Sequence, residues 1–205
     1  MVDLAALLDA RAGLAGISLD AGLKTRLLDY YALLARWNRK INLTSLSDPT
    51  QAIDRLLLEP VAAARHLTAG AVLIDLGSGG GSPAIPLALA LGSPRLVMVE
   101  SRSRKAAFLR EAAREVGVSA VVEAVRFEEL KAAGRHAHSA DVVSMRAVRP
   151  NSETLGLAQS LAKPDGILAV FTSQSEAVPV ADGLVDGSTW NILGSAMLIT
   201  FHVKH

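Results

Sequence analysis

The sequence predicts an α/β fold: a mainly parallel sheet with helices on both faces, an antiparallel hairpin at its C-terminal end and an N-terminal helical extension. Three observations carry this. Short strand-like apolar runs alternate with helix-like ones from Ala71 onward, glycines cluster directly after the first of those strands, and no strand pattern precedes Ala71.

The chain has 205 residues, half of them apolar and a fifth charged, which suits one large domain with an appendage better than two comparable lobes. The expected division is a helical extension over 1–67 and a sheet domain over 68–205, packed as one unit. In the extension, Asp20 can cap a stripe of Leu23, Leu27, Tyr30, Tyr31, Leu34 and Trp37, which recur at helical spacing up to about Asn38. Asp48-Pro49 then supplies an N-cap followed by proline at the first helical position. Ile53, Leu56, Leu57, Val61 and Ala64 continue that helix to about His66.

From Val72 the period changes. Val72-Leu73-Ile74 reads as a buried strand, Pro83 to Leu91 as an apolar helix and Leu96 to Val99 as the next strand, which together make a β-α-β unit. The alternation continues with a helix from Ser103 to Val116, strands at Ala120–Val125 and Asp141–Ser144, and a helix from Ser152 to Leu161. Lys163-Pro164-Asp165-Gly166 reads as a turn into the strand Ile167–Phe171. Trp190–Leu193 and Ala196–Val203, around Gly194-Ser195, read as the closing hairpin.

Composition excludes several classes. With no cysteine, disulfides, zinc ribbons, iron–sulfur clusters and thiolate nucleophiles are removed. The N-terminus carries acids where an export signal carries basic residues, and the apolar run Pro83–Leu91 falls far short of the roughly 18–20 residues that span a bilayer. A cytoplasmic protein with no membrane association is expected. His136, His138, His202 and His205 lack carboxylates at ligand spacing, so no metal is assigned.

The net charge of +1 is unevenly spread. Residues 101–149 hold ten basic and six acidic side chains, whereas 150–205 hold two and five. Arg102, Arg104, Lys105, Arg110 and Arg114 are read first as the solvated face of one helix. On an RNA substrate they would contact phosphates.

The most informative run is Asp75-Leu76-Gly77-Ser78-Gly79-Gly80-Gly81, directly after the first strand of the unit. In an open parallel sheet the ligand sits beyond the carboxyl ends of the strands, where glycines let backbone approach it. The dinucleotide fingerprint would place a third glycine at 82, where Ser82 stands, and an acid precedes the loop instead. That arrangement fits S-adenosylmethionine, which has no pyrophosphate to neutralise and carries an ammonium that a carboxylate can meet. Glu100 ends the next strand, where a carboxylate can accept from both ribose hydroxyls.

The chain resembles the GidB/RsmG family, bacterial guanine-N7 methyltransferases of 16S ribosomal RNA. Trp37-Asn38-Arg39-Lys40-Ile41-Asn42-Leu43-Thr44-Ser45 is similar to the family signature Trp-Asn-x-x-x-Asn-Leu-Thr-Ser. Asp75 to Pro86, Glu100-Ser101 with Arg104-Lys105 and Phe108-Leu109-Arg110, Glu128-Glu129-Leu130 and Met145-Arg146-Ala147-Val148 follow in the family's order. The resemblance spans about 20–171 and implies a Rossmann-like class I S-adenosylmethionine-dependent methyltransferase. It implies that Asp75, Gly77, Ser78, Gly79, Gly81, Glu100 and Ser101 hold the cofactor, with Phe127 and Glu128 beside the adenine. Arg146 would touch the cofactor and serve catalysis at the mouth where cofactor and substrate meet. Asn38 and Asn42 are read as bracing the helix–loop junction. The implied partner is 16S rRNA or the 30S particle, and a monomer is expected.

The sequence departs from the family at Ser82 and Ala84 in the loop, at Leu56 where a histidine is usual, and at Thr172-Ser173. These positions are expected at the active-site rim. They keep open a diverged methyltransferase acting on a small molecule, or a cofactor-binding protein without transferase activity. The chemistry suits guanine N7: its lone pair is already exposed, so no general base is required, whereas a C5-pyrimidine mechanism needs the cysteine this chain lacks.

Overall fold

The computed structural model describes residues 3–173 and 182–204. Helix α1 (Leu4–Leu14) starts at Asp3, whose carboxylate accepts from the amides of Ala5 and Ala6. Helix α2 (Ala21–Asn38) is capped by Asp20 as expected, the Leu23 amide donating at 2.8 Å, and it buries Leu27, Tyr30, Leu33 and Leu34. Asp48 likewise caps α3 (Pro49–Ile53). The single helix expected from 48 to 66 is interrupted: a π turn (Asp54–Leu58) separates α3 from α4 (Glu59–Ala64).

The sheet then forms from β1 (Leu73–Leu76), α5 (Ala84–Leu91), β2 (Leu96–Val99), α6 (Ser103–Glu115), β3 (Ala120–Glu123), α7 (Phe127–Ala132), β4 (Ala140–Arg146), α8 (Ser152–Leu161), β5 (Ala162–Ser173), β6 (Leu184–Leu193) and β7 (Ala196–Val203). Its order is β3-β2-β1-β4-β5-β7-β6, parallel from β3 to β5 and antiparallel at β5–β7 and β7–β6. The expected Rossmann-like architecture and closing hairpin are both present. The strand order reverses between β1 and β4, which opens a crevice at their carboxyl ends.

Three local expectations are corrected. Lys163–Gly166 lies inside β5 rather than forming a separate turn, with Ala162 already paired to Ala140. The first hairpin strand begins at Leu184, not Trp190. Helix α7 was not anticipated, because six residues give too little period to detect.

Each sheet face has its own core. On one, Leu27, Leu34, Ile53 and Leu57 of the extension share a cluster with Leu73, Met98 and Val142, so the extension is built into the sheet's packing. On the other, Leu155, Ala158 and Leu161 of α8 cover Ile74, Val97 and Val143. In α6, Phe108, Leu109 and Ala112 are buried while Arg104, Arg110 and Arg114 stay exposed, as the solvated-face reading requires. No helix among the described residues is long and apolar enough to cross a membrane.

Candidate active site

The carboxyl ends of β1, β2 and β4 converge on one crevice. The turn after β1 is pinned when the Gly77 and Ser78 amides both donate to the Val99 carbonyl, at 2.9 and 3.0 Å. Gly77 has φ +74, and a Cβ there would sit 2.5 Å from Val148 Cγ2, so both conformation and space require glycine. The turn opens onto a cavity of ≈ 810 Å³ lined by Gly77, Ser78, Gly79, Glu100, Ser101, Phe127, Glu128 and Arg146. The structure thus brings together eight of the ten residues singled out from sequence.

The other two lie elsewhere. Asp75 is 1% exposed and buried beneath the loop. The parallel register sets it opposite Ser144, whose hydroxyl donates to Oδ1 at 2.6 Å, and Oδ2 is buried without a partner among the described residues. Burial raises its carboxyl to about 6 against the hydrogen bonds of Ser144 and Ser78. Gly81 packs inward: a Cβ would meet Ile85, Leu109 and Tyr30 at 3.0–3.3 Å, with φ +85.

Glu100 braces the loop before it meets any ligand, since Oε2 accepts from the Gly79 amide at 3.0 Å and Oε1 from the Arg102 amide at 2.8 Å. Each oxygen keeps a further lone pair. The cavity therefore fits S-adenosylmethionine. Its walls offer exposed loop backbone, a carboxylate with spare acceptor capacity and the Phe127 ring, and Asp75 Oδ2 lies below as an unfilled acceptor.

A second cavity of ≈ 710 Å³ adjoins the first, and Leu43, Gly80, Ser82, Arg146 and Ala147 line both. Asn38 shapes this shared wall. It donates to the Thr44 carbonyl and accepts from the Leu43 and Thr44 amides, which presses Leu43 against Gly80. The bracing role expected of Asn38 is what the structure shows, whereas Asn42 is exposed and lines a shallow basic depression with Lys40, Arg102 and Lys105.

Arg146 is held from four sides. Its guanidinium donates to the Arg55 carbonyl at 2.6 Å, to Glu59 Oε2 at 3.0 Å and to Ser82 Oγ at 3.3 Å, and it lies 4.8 Å from the centroid of the Phe171 ring. Burial lowers it to about 10, so it stays cationic at neutral pH. Burial also pushes the Glu59 carboxyl up, opposed by Arg146.

Pro60 creates these partners. Proline has no N–H, so the Leu56 carbonyl loses its intrahelical donor, and the Ser82 hydroxyl fills it at 2.9 Å. The adjoining π turn sends the Glu59 amide to the Asp54 carbonyl, which leaves the Arg55 carbonyl for Arg146. Glu59, Arg55 and Tyr30 are neighbours of the candidate site that sequence reasoning missed. A proline preceded by an acid within an apolar helical run was the signal available.

Of the departures from the family pattern, Ser82 and Leu56 do line the second cavity. Ala84 is fully buried, Thr172 follows Phe171 at the carboxyl end of β5, and neither lines either cavity. His136, expected to lack a carboxylate, contacts Glu123 at 2.8 Å, and Arg135 shares that carboxylate. His205 lies outside the described residues.

Comparison with known proteins agrees with this geometry. The family model described as "GidB: rRNA small subunit methyltransferase G" matches residues 23–181. Ribosomal RNA small subunit methyltransferase G of Stenotrophomonas maltophilia (strain K279a) is 41% identical over 157 residues, 76% of this chain and 72% of that one. Its namesake in Halorhodospira halophila is 38% identical over 174 residues, covering 83% and 80%. Among solved structures, a SAM-dependent methyltransferase from Aquifex aeolicus aligns with TM-score 0.62 at 14% identity, covering 83% of this chain and 98% of the other. A putative O-methyltransferase from Klebsiella pneumoniae aligns with TM-score 0.60 at 15% identity, covering 92% of each. The fold is that of these methyltransferases, and by sequence the chain belongs to the GidB family, rRNA small subunit methyltransferase G.

Proposed function

We propose that the protein transfers a methyl group from S-adenosylmethionine to guanine N7 in 16S ribosomal RNA, acting as a monomer on the 30S particle in the cytoplasm. Family membership bears out the methyltransferase and cofactor readings. The observation that carries the reaction is the pair of adjoining cavities with Arg146 on their common wall. One cavity suits the donor and the other a single purine.

Bound S-adenosylmethionine supplies an electrophilic methyl on a sulfonium. The chain's own task is alignment. Glu100 and the Gly77–Gly80 turn hold one partner, while Leu43, Ser82 and the anchored Arg146 guanidinium fix where the other meets it. No proton has to leave N7 before attack, so no base is required. Arg146 adds a fixed positive field between the cavities. On this reading the site residues expected from the sequence hold the cofactor, with Asp75 acting from beneath the loop and Gly81 through packing.

An RNA acceptor is supported over a small molecule by the open basic rim. Arg102 and Arg104 are exposed beside Lys40 and Lys105, and none of the four forms an ion pair among the described residues. Labelled methyl transfer to 30S particles and to naked 16S rRNA tests the reading, with nucleoside mass spectrometry to locate N7-methylguanosine. Cofactor binding without incorporation into either substrate would refute the RNA assignment.

A further inference from the structure

We propose that Glu59 reads the acceptor base, its carboxylate accepting from the N1–H and N2–H₂ donors on the Watson–Crick edge of guanine in the second cavity. This deepens the guanine-N7 reading above and rests on it. The cavity, at ≈ 710 Å³, lies within the range of about 300–1,000 Å³ usual for small-molecule sites. Leu34, Leu46 and Leu56 give it apolar walls for the faces of a base.

Glu59 is the feature that the mechanism leaves unexplained. It is 8% exposed, and Oε2 is taken by Arg146 at 3.0 Å, whereas Oε1 has no hydrogen-bond partner among the described residues. Oε1 is not sealed from solvent, so it is open on the cavity side, where a donor on a bound base can take the place of water. Carboxylates only accept, so they select a base edge made of donors. Guanine presents two adjacent donors there, whereas adenine presents its N1 acceptor in the same place.

The position of Glu59 also sets where the base lies. Glu59 lines the second cavity but not the first, whereas Leu43, Gly80, Ser82 and Arg146 line both. Glu59 is itself bonded to Arg146, so a base anchored on it lies in the second cavity beside the shared wall. Arg55, exposed at the rim and without an ion pair among the described residues, is placed for the nucleotide's phosphate.

Calorimetry of the S-adenosylhomocysteine-saturated protein with GMP, IMP, 1-methyl-GMP and AMP tests this. IMP lacks the N2 amine and 1-methyl-GMP lacks the N1 proton. Wild type is expected to bind GMP about tenfold or more tighter than the other three, as a site built around specific donors does. Glu59→Gln is expected to abolish most of that preference, and Glu59→Asp to restore part of it. A Glu59 that merely anchors Arg146 would weaken all four nucleotides alike, and that result overturns the proposal. So does equal binding of GMP and IMP by wild type, or no saturable GMP binding; these wild-type arms decide the matter if the variants fail to fold. Methyl transfer to 30S particles reports separately on the function. Absent labelling with the GMP preference intact refutes the rRNA reading alone, and labelling without any preference refutes the role of Glu59 alone.

Discussion

The Tyr30 hydroxyl donates to the Gly80 carbonyl at 2.6 Å, tying the middle of α2 to the glycine loop across fifty residues of sequence. Tyr30 is fully buried, and burial pushes its phenol well above its usual range, so it donates at every accessible pH. Tyr30→Phe leaves the Gly80 carbonyl without this donor. It is expected to destabilise the protein by about 1–3 kcal/mol in urea unfolding. It should also weaken S-adenosylhomocysteine binding in calorimetry; unchanged affinity would show that the loop holds its shape without the extension.

Arg146 and Glu59 form an ion pair in which each side chain is 10% exposed. Arg146→Met alone strands a buried carboxylate and is expected to lower stability by about 3–5 kcal/mol. Adding Glu59→Leu should return most of that loss without returning methyl transfer, as measured by urea unfolding and labelled methyl incorporation. Recovery of activity in the double variant would show that the pair acts only on stability.

Pro60→Ala supplies the missing N–H to the Leu56 carbonyl and competes with Ser82 for it. The π turn then tightens, and the Arg55 carbonyl is taken by the Glu59 amide instead of by Arg146. Thermal unfolding is expected to be unchanged or a few degrees higher, because a helix interior favours alanine. Turnover per KM should fall by about tenfold, the effect of misplacing a positioning group. A fully active Pro60→Ala enzyme would rule out a role for the freed carbonyls.

Asp75 predicts a pH dependence. Its folded carboxyl titrates at about 6 against an ordinary 3.8, so between those values the folded state holds the proton more tightly and stability falls as pH rises. The loss is about 2–3 kcal/mol, complete above pH ~6.5. In urea unfolding, Asp75→Asn should remove this slope, the gap between variant and wild type widening in the variant's favour from pH 4 to pH 7. S-adenosylhomocysteine should bind wild type more tightly as pH rises through 6, since its ammonium prefers the ionised carboxylate, and Asp75→Asn should flatten that rise.

The α/β order, the glycine loop, Glu100 and the Trp37–Ser45 signature were legible in the sequence because each is a local pattern. Asp20 and Asp48 announce their helices through one side chain and one amide, and the glycine run needs only its place after a strand. Asn38 was readable for the same reason, its partners lying within six residues.

Tertiary structure alone decided what meets at the crevice. Glu59 and Arg146 are 87 residues apart, and their pairing depends on how the extension crosses the ends of β1 and β4. Gly81 reads like Gly77 in the sequence, yet Tyr30 and Leu109 make it a packing residue while Gly77 faces the cavity. The π turn was hidden because Pro60 acts through carbonyls that only distant side chains can satisfy. Periodicity and turn chemistry are fixed by neighbours along the chain; burial, pairing and the division into two cavities are fixed by neighbours in space.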